Sequence, residues 1–451
     1  MQFAGRRTTL ELEPIGEPYN ILVRLSDDTL PSPEALLVTG ITPQSTVSDG
    51  ISEAEFAQLL SDEVFTPDTI TVGFNNVRFD DEFIRHLFWR TFRDPYEWSW
   101  KEGRSRWDLL DVVRITRALR PEGIEWPVDA KGNATNRLEL LTKANGIEHL
   151  NAHDALSDVD ALIAVTRLIR DKQPQLFDYL LKLRDKREVQ KLANLDDKTP
   201  FVYTSGRYDN EFNKTTVAFP LTAGRNGNVV VYDLRYDPTP LLGLSSDELE
   251  KKLYAPYEER QADGFVKLPV KELQYNRCPA VAPLGVLEQG DGWQKIDLDL
   301  ETVERHKQLL VGAPHFAENI RSIFEKSRAY ATANDPEGQL YDGFVGDKDK
   351  IRVESVRNAS ASELADYHPT FDDERLSPLL LHYKARNYPT SLSEDEAVEW
   401  EQWRAGHISA QLQPFVASLR KLASERTDEQ SQFILSELQL WAESIVPADE
   451  Y

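Results

Sequence analysis

Residues 151–158 carry an imidazole and a carboxylate at the start of a segment with helical periodicity. Asn151 and Asp154 are residue types that favour turns and helix starts, so the pattern predicts His153 just before the first turn and Asp158 one turn further in. A carboxylate held on a helix suits a hard divalent cation, and a histidine beside it can take a proton from water. The alternative is that His153 and Asp154 cap the helix and that Asp158 is a solvated or paired residue.

A second acidic position follows a strand-like segment. Residues 69–74 have an apolar residue at every second position, which predicts a strand ending at Asn75 and Asn76. Asp80 and Asp81 then precede apolar residues that share one helical face, so Asp80 is expected at a strand-to-helix junction. Ligands of open α/β sheets gather at such strand ends.

The composition describes a large chain with an acidic excess. Its 451 residues are too many for one core, so two or three domains are expected. No long apolar run and no signal-peptide pattern occurs, which predicts a cytoplasmic protein without a membrane segment. The single cysteine, Cys278, excludes an intramolecular disulfide and a cysteine-based zinc site.

The net charge of −24 argues against general polyanion binding. Between positions 78 and 106, however, basic residues alternate with aromatic ones, as suits a groove for single-stranded nucleic acid in which cations follow phosphates and rings stack on bases. Burial in the core is the alternative for each tryptophan. The basic residues are Arg78, Arg85, Arg90, Arg93, Lys101, Arg104 and Arg106, and the tryptophans in and beside this segment are Trp89, Trp98, Trp100 and Trp107.

Three regions of the chain differ in pattern. Residues 1–172 alternate strand-like and helix-like segments, which is typical of an α/β domain. Residues 174–326 contain short strand-like runs separated by turn-forming residues, which predicts a small, mostly β domain. From about residue 330 the pattern is helical, and capping-box patterns beginning at Ser393 and Thr427 predict two long amphipathic helices at the end of the chain.

Longer motifs span nearly the whole chain: NNVRFDDE at 75–82, SRWDLLD at 105–111, LRPEGI at 119–124, LTKANGIEH at 141–149, QLYDGF at 339–344 and YKARNYP at 383–389. With His153 and Asp158, this set strongly resembles bacterial exonuclease I, a DEDD-type 3′→5′ exonuclease of single-stranded DNA. The resemblance implies a multidomain α/β protein. An RNase H-like exonuclease domain at 1–172 would be followed by an SH3-like β domain at 174–326 and a helical C-terminal domain at 330–451.

The resemblance also implies an activity: hydrolysis of single-stranded DNA to 5′-mononucleotides in DNA repair and recombination. Asp80 and Asp158 would hold two Mg²⁺ ions at the scissile phosphate, and His153 would act as the general base. The implied partners are single-stranded DNA and the C-terminal tail of single-stranded DNA-binding protein. We expect a monomer.

Four further residues are substrate-binding candidates through the resemblance. Residues 38–42 match the segment that meets the terminal nucleotide, where Gly40 permits close backbone approach and Ile41 can wedge against the last base. A turn followed by a core residue is the alternative. Asn76 and Arg78 are also candidates, although Asn76 could satisfy loop backbone and Arg78 could pair with a neighbouring carboxylate.

Members of this family carry a first motif, Asp-x-Glu, whose two carboxylates complete a four-acid metal cage. Residues 2–4 match the segment that follows this motif, so the sequence is expected to begin ~25–30 residues late, without a central strand. The neighbouring strands would then be unpaired and the chain unstable. Glu11 and Glu13 have the i, i+2 spacing of the motif but are expected on the solvated face of the next hairpin.

Two carboxylates rarely supply the coordination that two hard cations require. A non-catalytic clamp that binds single-stranded DNA is therefore the alternative function. An RNA-trimming DEDD enzyme is a third possibility, although the resemblance extends into both accessory domains.

Overall fold

The first domain is built on two strand pairs with helices around them. The computed structural model describes residues 1–148, 154–326, 333 and 335–447. The elements of this domain are β1 (Gln2–Gly5), β2 (Tyr19–Leu22), α1 (Pro33–Thr39), α2 (Pro43–Asp49), α3 (Glu53–Leu59), β3 (Ile70–Gly73), α4 (Asp80–Arg90), β4 (Ser105–Asp108), α5 (Leu109–Leu119), α6 (Leu138–Ala144) and α7 (Ala155–Lys172). The predicted strand at 69–74 and the helix beginning at Asp80 are both confirmed.

The two strand pairs stay separate sheets within the described residues. β1 pairs with β2 antiparallel, and β3 pairs with β4 in parallel. The Arg7 guanidinium lies between them and donates to Thr69 Oγ1 at 3.3 Å and to the Val64 carbonyl at 3.0 Å. Gly73 lies opposite Asp108 in the register, so the carboxyl ends of β3 and β4 open side by side. The absence of a central strand stays a prediction.

The second domain carries a five-stranded antiparallel sheet in the order β8-β7-β6-β5-β9. Its strands are β5 (Phe201–Thr204), β6 (Thr215–Ala223), β7 (Val229–Asp233), β8 (Val270–Leu273) and β9 (Ala280–Pro283). The helices of this region are α8 (Pro174–Lys182), α9 (Lys186–Leu192), α10 (Ser246–Leu253), α11 (Tyr257–Arg260), α12 (Gly292–Lys295), α13 (Leu300–Val311) and α14 (Pro314–Glu325). A mostly β domain was therefore too narrow a prediction, because α13 and α14 pack on β6 and bury its apolar residues.

The third domain is helical, as predicted. It contains α15 (Asp347–Asn358), α16 (Ala361–Asp366), α17 (Leu376–Asn387), α18 (Glu394–Glu425) and α19 (Glu429–Ile445). The capping box at Ser393 is confirmed. The predicted cap at Thr427 is wrong: Asp428 caps α19, and its carboxylate accepts from the Ser431 N–H at 2.8 Å.

Shared apolar cores join the domains. One core contains Trp107 of β4 and Phe201 of the second sheet. Another joins Trp89 of α4 to Leu376 of α17. Of the four tryptophans in and beside the basic segment, only Trp100 is exposed, at 63%. The other three are buried, which agrees with the alternative prediction that they belong to the core. None of the described helices has both the length and the apolarity that crossing a bilayer needs.

Candidate active site

The segment leading to Asp80 is a short loop held by the end of β4. Asn75 adopts the left-handed conformation (φ 70°), which asparagine tolerates, and one 3₁₀ turn follows before α4. The Asp108 carboxylate accepts from the backbone N–H of Asn75 at 2.8 Å and of Leu110 at 3.0 Å, which joins this loop to the start of α5. Burial, with the charge of Asp111 adding to it, raises the pKa of Asp108 to about 6.

Asn76 is buried beneath this loop, with 5% of its surface exposed. A Cβ added at Gly73 would lie 2.5 Å from the Asn76 Cβ, so only glycine leaves room for this side chain. Within the described residues, neither the oxygen nor the nitrogen of the Asn76 amide has a hydrogen-bond partner. The interpretation that this side chain satisfies loop backbone is therefore wrong. A substrate-binding role stays a prediction.

Three consecutive carboxylates open α4, and their surroundings differ. Asp81 is 2% exposed and forms an ion pair with Arg106. Glu82 pairs with Arg85 at 2.7 Å. Asp80 is exposed, and no cation pairs with it in the part of the chain that the structure describes. Although the residue as a whole is exposed, protein atoms surround its carboxyl group, and this desolvation raises the pKa of Asp80.

Two exposed rings flank Asp80. The ring centroids of Phe79 and Phe83 are 4.9 Å apart in an edge-to-face arrangement, and both side chains reach solvent. Unstacked nucleobases bind to such exposed rings. The surface beside Asp80 can therefore receive the planar end of a nucleotide.

Arg78 belongs to a cationic group that extends onto the second domain. The neighbouring carboxylates of Asp81 and Glu82 pair with other arginines, so the expected alternative partners of Arg78 are taken. Burial lowers the pKa of Lys271 to about 7, and the nearby charge of Arg78 contributes in the same direction. We call Arg78, Arg114, Arg207 and Lys271 the cationic group; Arg114 and Arg207 also lower the pKa of Lys271, while the carboxylate of Asp111 opposes them.

Asp158 occupies the predicted place on α7. Asp154 caps this helix by accepting from the Ser157 N–H at 3.1 Å, so Asp158 lies one turn in, half-buried. α7, which carries Asp158, packs on β1 and β2. Asp80 follows β3 at the start of α4. The two carboxylates are therefore positioned by different strand pairs. His153 lies outside the described residues, and its role as general base stays a prediction.

Glu11 and Glu13 are confirmed on a solvated hairpin. Both are exposed, the backbone N–H of Thr9 donates to the Glu13 carbonyl at 2.8 Å, and Glu13 pairs with Arg167 at 3.2 Å. Their spacing matches that of a metal-binding acid pair. Their place on a surface turn gives them no part in the site around Asp80.

Gly40 ends α1 in the left-handed conformation, φ 72°, and donates its N–H to the Leu36 carbonyl at 2.8 Å. Ile41 follows and is half-buried. The alternative prediction was a turn followed by a core residue; the turn is present, but Ile41 is not a buried core residue. α1 packs against α18 and α19. Contact of Gly40 and Ile41 with a terminal nucleotide stays a prediction.

A second acidic cluster lies in the helical domain. Ligand atoms of Asp335, Glu337 and His382 lie within 4.8 Å of one another. The Glu337 carboxylate already receives Arg386 and, at 2.8 Å, His382 Nδ1. Burial opposes ionisation, yet these two partners hold the pKa of Glu337 well below its usual range. We interpret this cluster as part of an ion-pair network because Arg386 and His382 pair with Glu337, while Asp335 accepts from the Glu337 N–H at 3.1 Å.

The sequence patterns missed the residues that support Asp80. Arg106 and Asp108 belong to the SRWDLLD motif; Arg106 was expected among the cations of a strand-binding groove but is buried against Asp81, and Asp108 received no role. The signal that could have found them is their i, i+2 spacing on β4, because residues at this spacing on a strand face the same side. Lys271 gave no signal, since its place beside Arg78 depends on how two domains pack.

The three regions match family profiles in the same order. Residues 1–166 match an exonuclease domain, residues 184–326 the exonuclease I SH3-like domain and residues 334–445 the exonuclease I C-terminal domain. Exodeoxyribonuclease I of Haemophilus influenzae is 39% identical over 436 residues, covering 96% of this chain and 92% of the relative. The Escherichia coli protein of that name is 38% identical over 450 residues, covering 99% and 94%.

The E. coli exonuclease I structure in complex with a dA16 oligonucleotide superposes with a TM-score of 0.95 at 38% identity, covering 99% of this chain and 95% of that chain. Fold and site thus define a three-domain exonuclease that carries SH3-like and helical accessory domains. The chain belongs to the exodeoxyribonuclease I family. The predicted family and domain order are confirmed.

Proposed function

We propose that this chain hydrolyses single-stranded DNA from its 3′ end to 5′-mononucleotides with two Mg²⁺ ions, in DNA repair and recombination. The observation that carries the proposal is Asp80: an exposed carboxylate with no protein cation among the described residues, beside two carboxylates that arginines neutralise. The related E. coli complex with a dA16 oligonucleotide supports single-stranded DNA as the substrate.

The donor chemistry fits a hard divalent cation. Asp80 and Asp158 offer carboxylate oxygens, the ligands that Mg²⁺ prefers, and two ions require further ligands beyond these two. A related E. coli exonuclease I–DNA complex has a zinc-bound form, which supports divalent metal binding in the family. When bound, the ions supply charge stabilisation at the scissile phosphate.

The chain's own residues then divide the work. His153 takes the proton of the attacking water as general base. Arg78 and Arg207, which form no ion pair among the described residues, hold backbone phosphates, while Phe79 and Phe83 stack against bases. Asn76 and the turn at Gly40 and Ile41 contact the terminal nucleotide.

The decisive experiment compares wild type with His153→Ala on single strands labelled at the 3′ end. His153→Ala should slow turnover by roughly 10²–10⁴ and leave strand affinity nearly unchanged. Equal losses of rate and affinity would contradict the general-base role. Strand binding by wild type without release of mononucleotides would establish the alternative, a non-catalytic DNA-binding clamp.

Salt dependence tests the cationic group separately. Wild-type affinity for single strands should fall with salt, with a log-log slope of about −0.7 per neutralised phosphate. Arg207→Gln should make this slope shallower by about one phosphate contact. Arg187→Gln is the matched control, since Arg187 pairs with Asp185 on an exposed surface. Equal slopes for all three proteins would remove the cationic group from the strand path.

A protein partner is also part of the proposal. The C-terminal tail of single-stranded DNA-binding protein is expected to bind this chain, and a related SSB/exonuclease I structure supports the pairing. Monomeric state and cytoplasmic location stay predictions. Binding of a labelled tail peptide to the full chain, with a scrambled peptide as control, would test the partner.

A further inference from the structure

Arg106 is held at both ends by a single turn of the SH3-like domain. Its guanidinium, buried in β4, donates through Nη2 to the Asn276 carbonyl at 2.7 Å. Its backbone carbonyl accepts from the Cys278 thiol at 3.0 Å. The same guanidinium also forms the ion pair with Asp81. One turn of the second domain therefore fixes the side chain that neutralises the residue next to Asp80.

The start of α4 depends on this ion pair. The residue before the helix, Phe79, makes no side-chain capping bond, so the first turn lacks the usual anchor. Asp81 lies in that first turn and is buried against Arg106. The Asp81–Arg106 pair is therefore a buried side-chain contact that holds the turn in which Asp80 lies.

We infer that Arg106 is a positioning residue: through Asp81 it holds the Asp80 carboxylate ready for a divalent cation, and the Asn276–Cys278 turn makes the SH3-like domain part of that support. The inference rests on the proposed function, because it assigns Asp80 to the metal. Groups that orient metal ligands typically change metal affinity or activity by 10–100-fold when altered. Arginine suits this place because its planar fork reaches Asp81 and the Asn276 carbonyl at once, which a lysine ammonium cannot reproduce.

Direct Mn²⁺ binding to the full chain, followed by electron paramagnetic resonance without DNA, tests the inference independently of turnover. Arg106→Lys should raise the Mn²⁺ dissociation constant by about 10-fold, and Arg106→Gln by more, up to about 100-fold. Amide hydrogen exchange at the first turn of α4 should quicken in the same order. Quickened exchange that is confined to the first turn of α4 separates positioning from a general loss of stability.

The matched control is Arg90→Lys. Arg90 lies at the other end of α4 and donates to Glu53 at 2.6 Å, so the variant disturbs an arginine–carboxylate pair on the same helix. It should leave the Mn²⁺ dissociation constant within about 2-fold of wild type. If Arg106→Gln does not fold, Arg106→Lys alone decides the comparison with this control.

Wild-type Mn²⁺ affinity in Arg106→Lys, or an equal loss in Arg90→Lys, would overturn the inference. Asp80→Asn marks the other kind of failure. If this variant binds Mn²⁺ as tightly as wild type, Asp80 is not a metal ligand, and the proposed function fails together with the inference. A loss in Asp80→Asn without one in Arg106→Lys leaves the proposed function standing and overturns only the positioning role.

Discussion

The two ends of α4 use the same chemistry for different purposes. At the beginning, the buried Asp81–Arg106 pair lies beside an exposed Asp80 that has no cation among the described residues. At the end, Arg90 pairs with Glu53, and Trp89 Nε1 donates to the Pro336 carbonyl at 2.9 Å. The second end thus fastens the helix to the helical domain.

The network next to that second end shows the contrast most clearly. Arg386 pairs with both Asp28 and Glu337, and Glu337 also accepts from His382. Every charge in this network has a partner. The comparison separates acids that arginines or histidine neutralise, which stabilise the fold, from Asp80, which has no protein cation among the described residues.

The sharpest way to break this comparison is to remove the unmatched carboxylate. Asp80→Asn should reduce mononucleotide release by about a thousandfold or more, because the proposed metal ligand is lost. Glu82→Gln alters a neighbour that Arg85 already neutralises and should change the rate by less than about threefold. Similar losses in both variants would mean that general acidity, rather than one free ligand, matters at this end.

The opposite change removes the arginine from the ion-pair network of Asp28, Glu337 and Arg386. Arg386→Met should lower the free energy of unfolding by about 3–5 kcal/mol, since it removes the arginine that pairs with the buried Asp28 and the half-buried Glu337. Urea unfolding would measure this, and the rate per folded molecule should be unchanged. Lys350→Met, which breaks an exposed pair with Asp347, should cost less than about 1 kcal/mol. A comparable cost in both variants would contradict the structural role of the network.

Asp108 adds a pH test at the beginning of α4. Its pKa of about 6 lies above the ordinary 3.8, so the folded state binds the extra proton. The stability that this proton contributes is present below pH 3.8 and is lost as the pH rises through about 6. Asp108→Asn stays neutral and can accept both backbone bonds through one oxygen, since both reach the same Oδ1.

From pH 4 to pH 8, the difference in unfolding free energy between Asp108→Asn and wild type should therefore move in favour of the variant by about 2–3 kcal/mol. Urea unfolding at the two pH values measures the difference. A constant difference would show that Asp108 is not a strained, buried acid, and would weaken the contrast between the two ends of α4.

Gly73→Ala gives the smallest expected effect. The new Cβ would meet the Asn76 side chain, so the loop must shift at a cost of about 1–3 kcal/mol in unfolding free energy. Gly243→Ala is the control, because its Cβ would meet open space, and it should change stability by about 0.5 kcal/mol or less. An unchanged Gly73→Ala protein would show that the Asn76 loop has room to relax.

Local patterns predicted much of this arrangement. The period-2 strand at 69–74 and the helix face behind Asp80 are properties of neighbouring residues, and both were confirmed. The cap of α19 was misplaced by one residue because Thr427 and Asp428 are both good capping types, and only backbone geometry selects Asp428. Helices in the second domain were missed because they cover a sheet whose strands dominate the pattern.

The sequence by itself determined the order of the domains, the strand-to-helix junction at Asp80 and the solvated hairpin of Glu11 and Glu13. Only the tertiary structure decided which acid stays free. Asp81 is neutralised by Arg106, 25 residues away, and that arginine is held by a carbonyl 170 residues further along the chain. Ion pairing depends on distances in space, so the spacing of acids along the chain cannot show which carboxylate keeps its charge for a ligand.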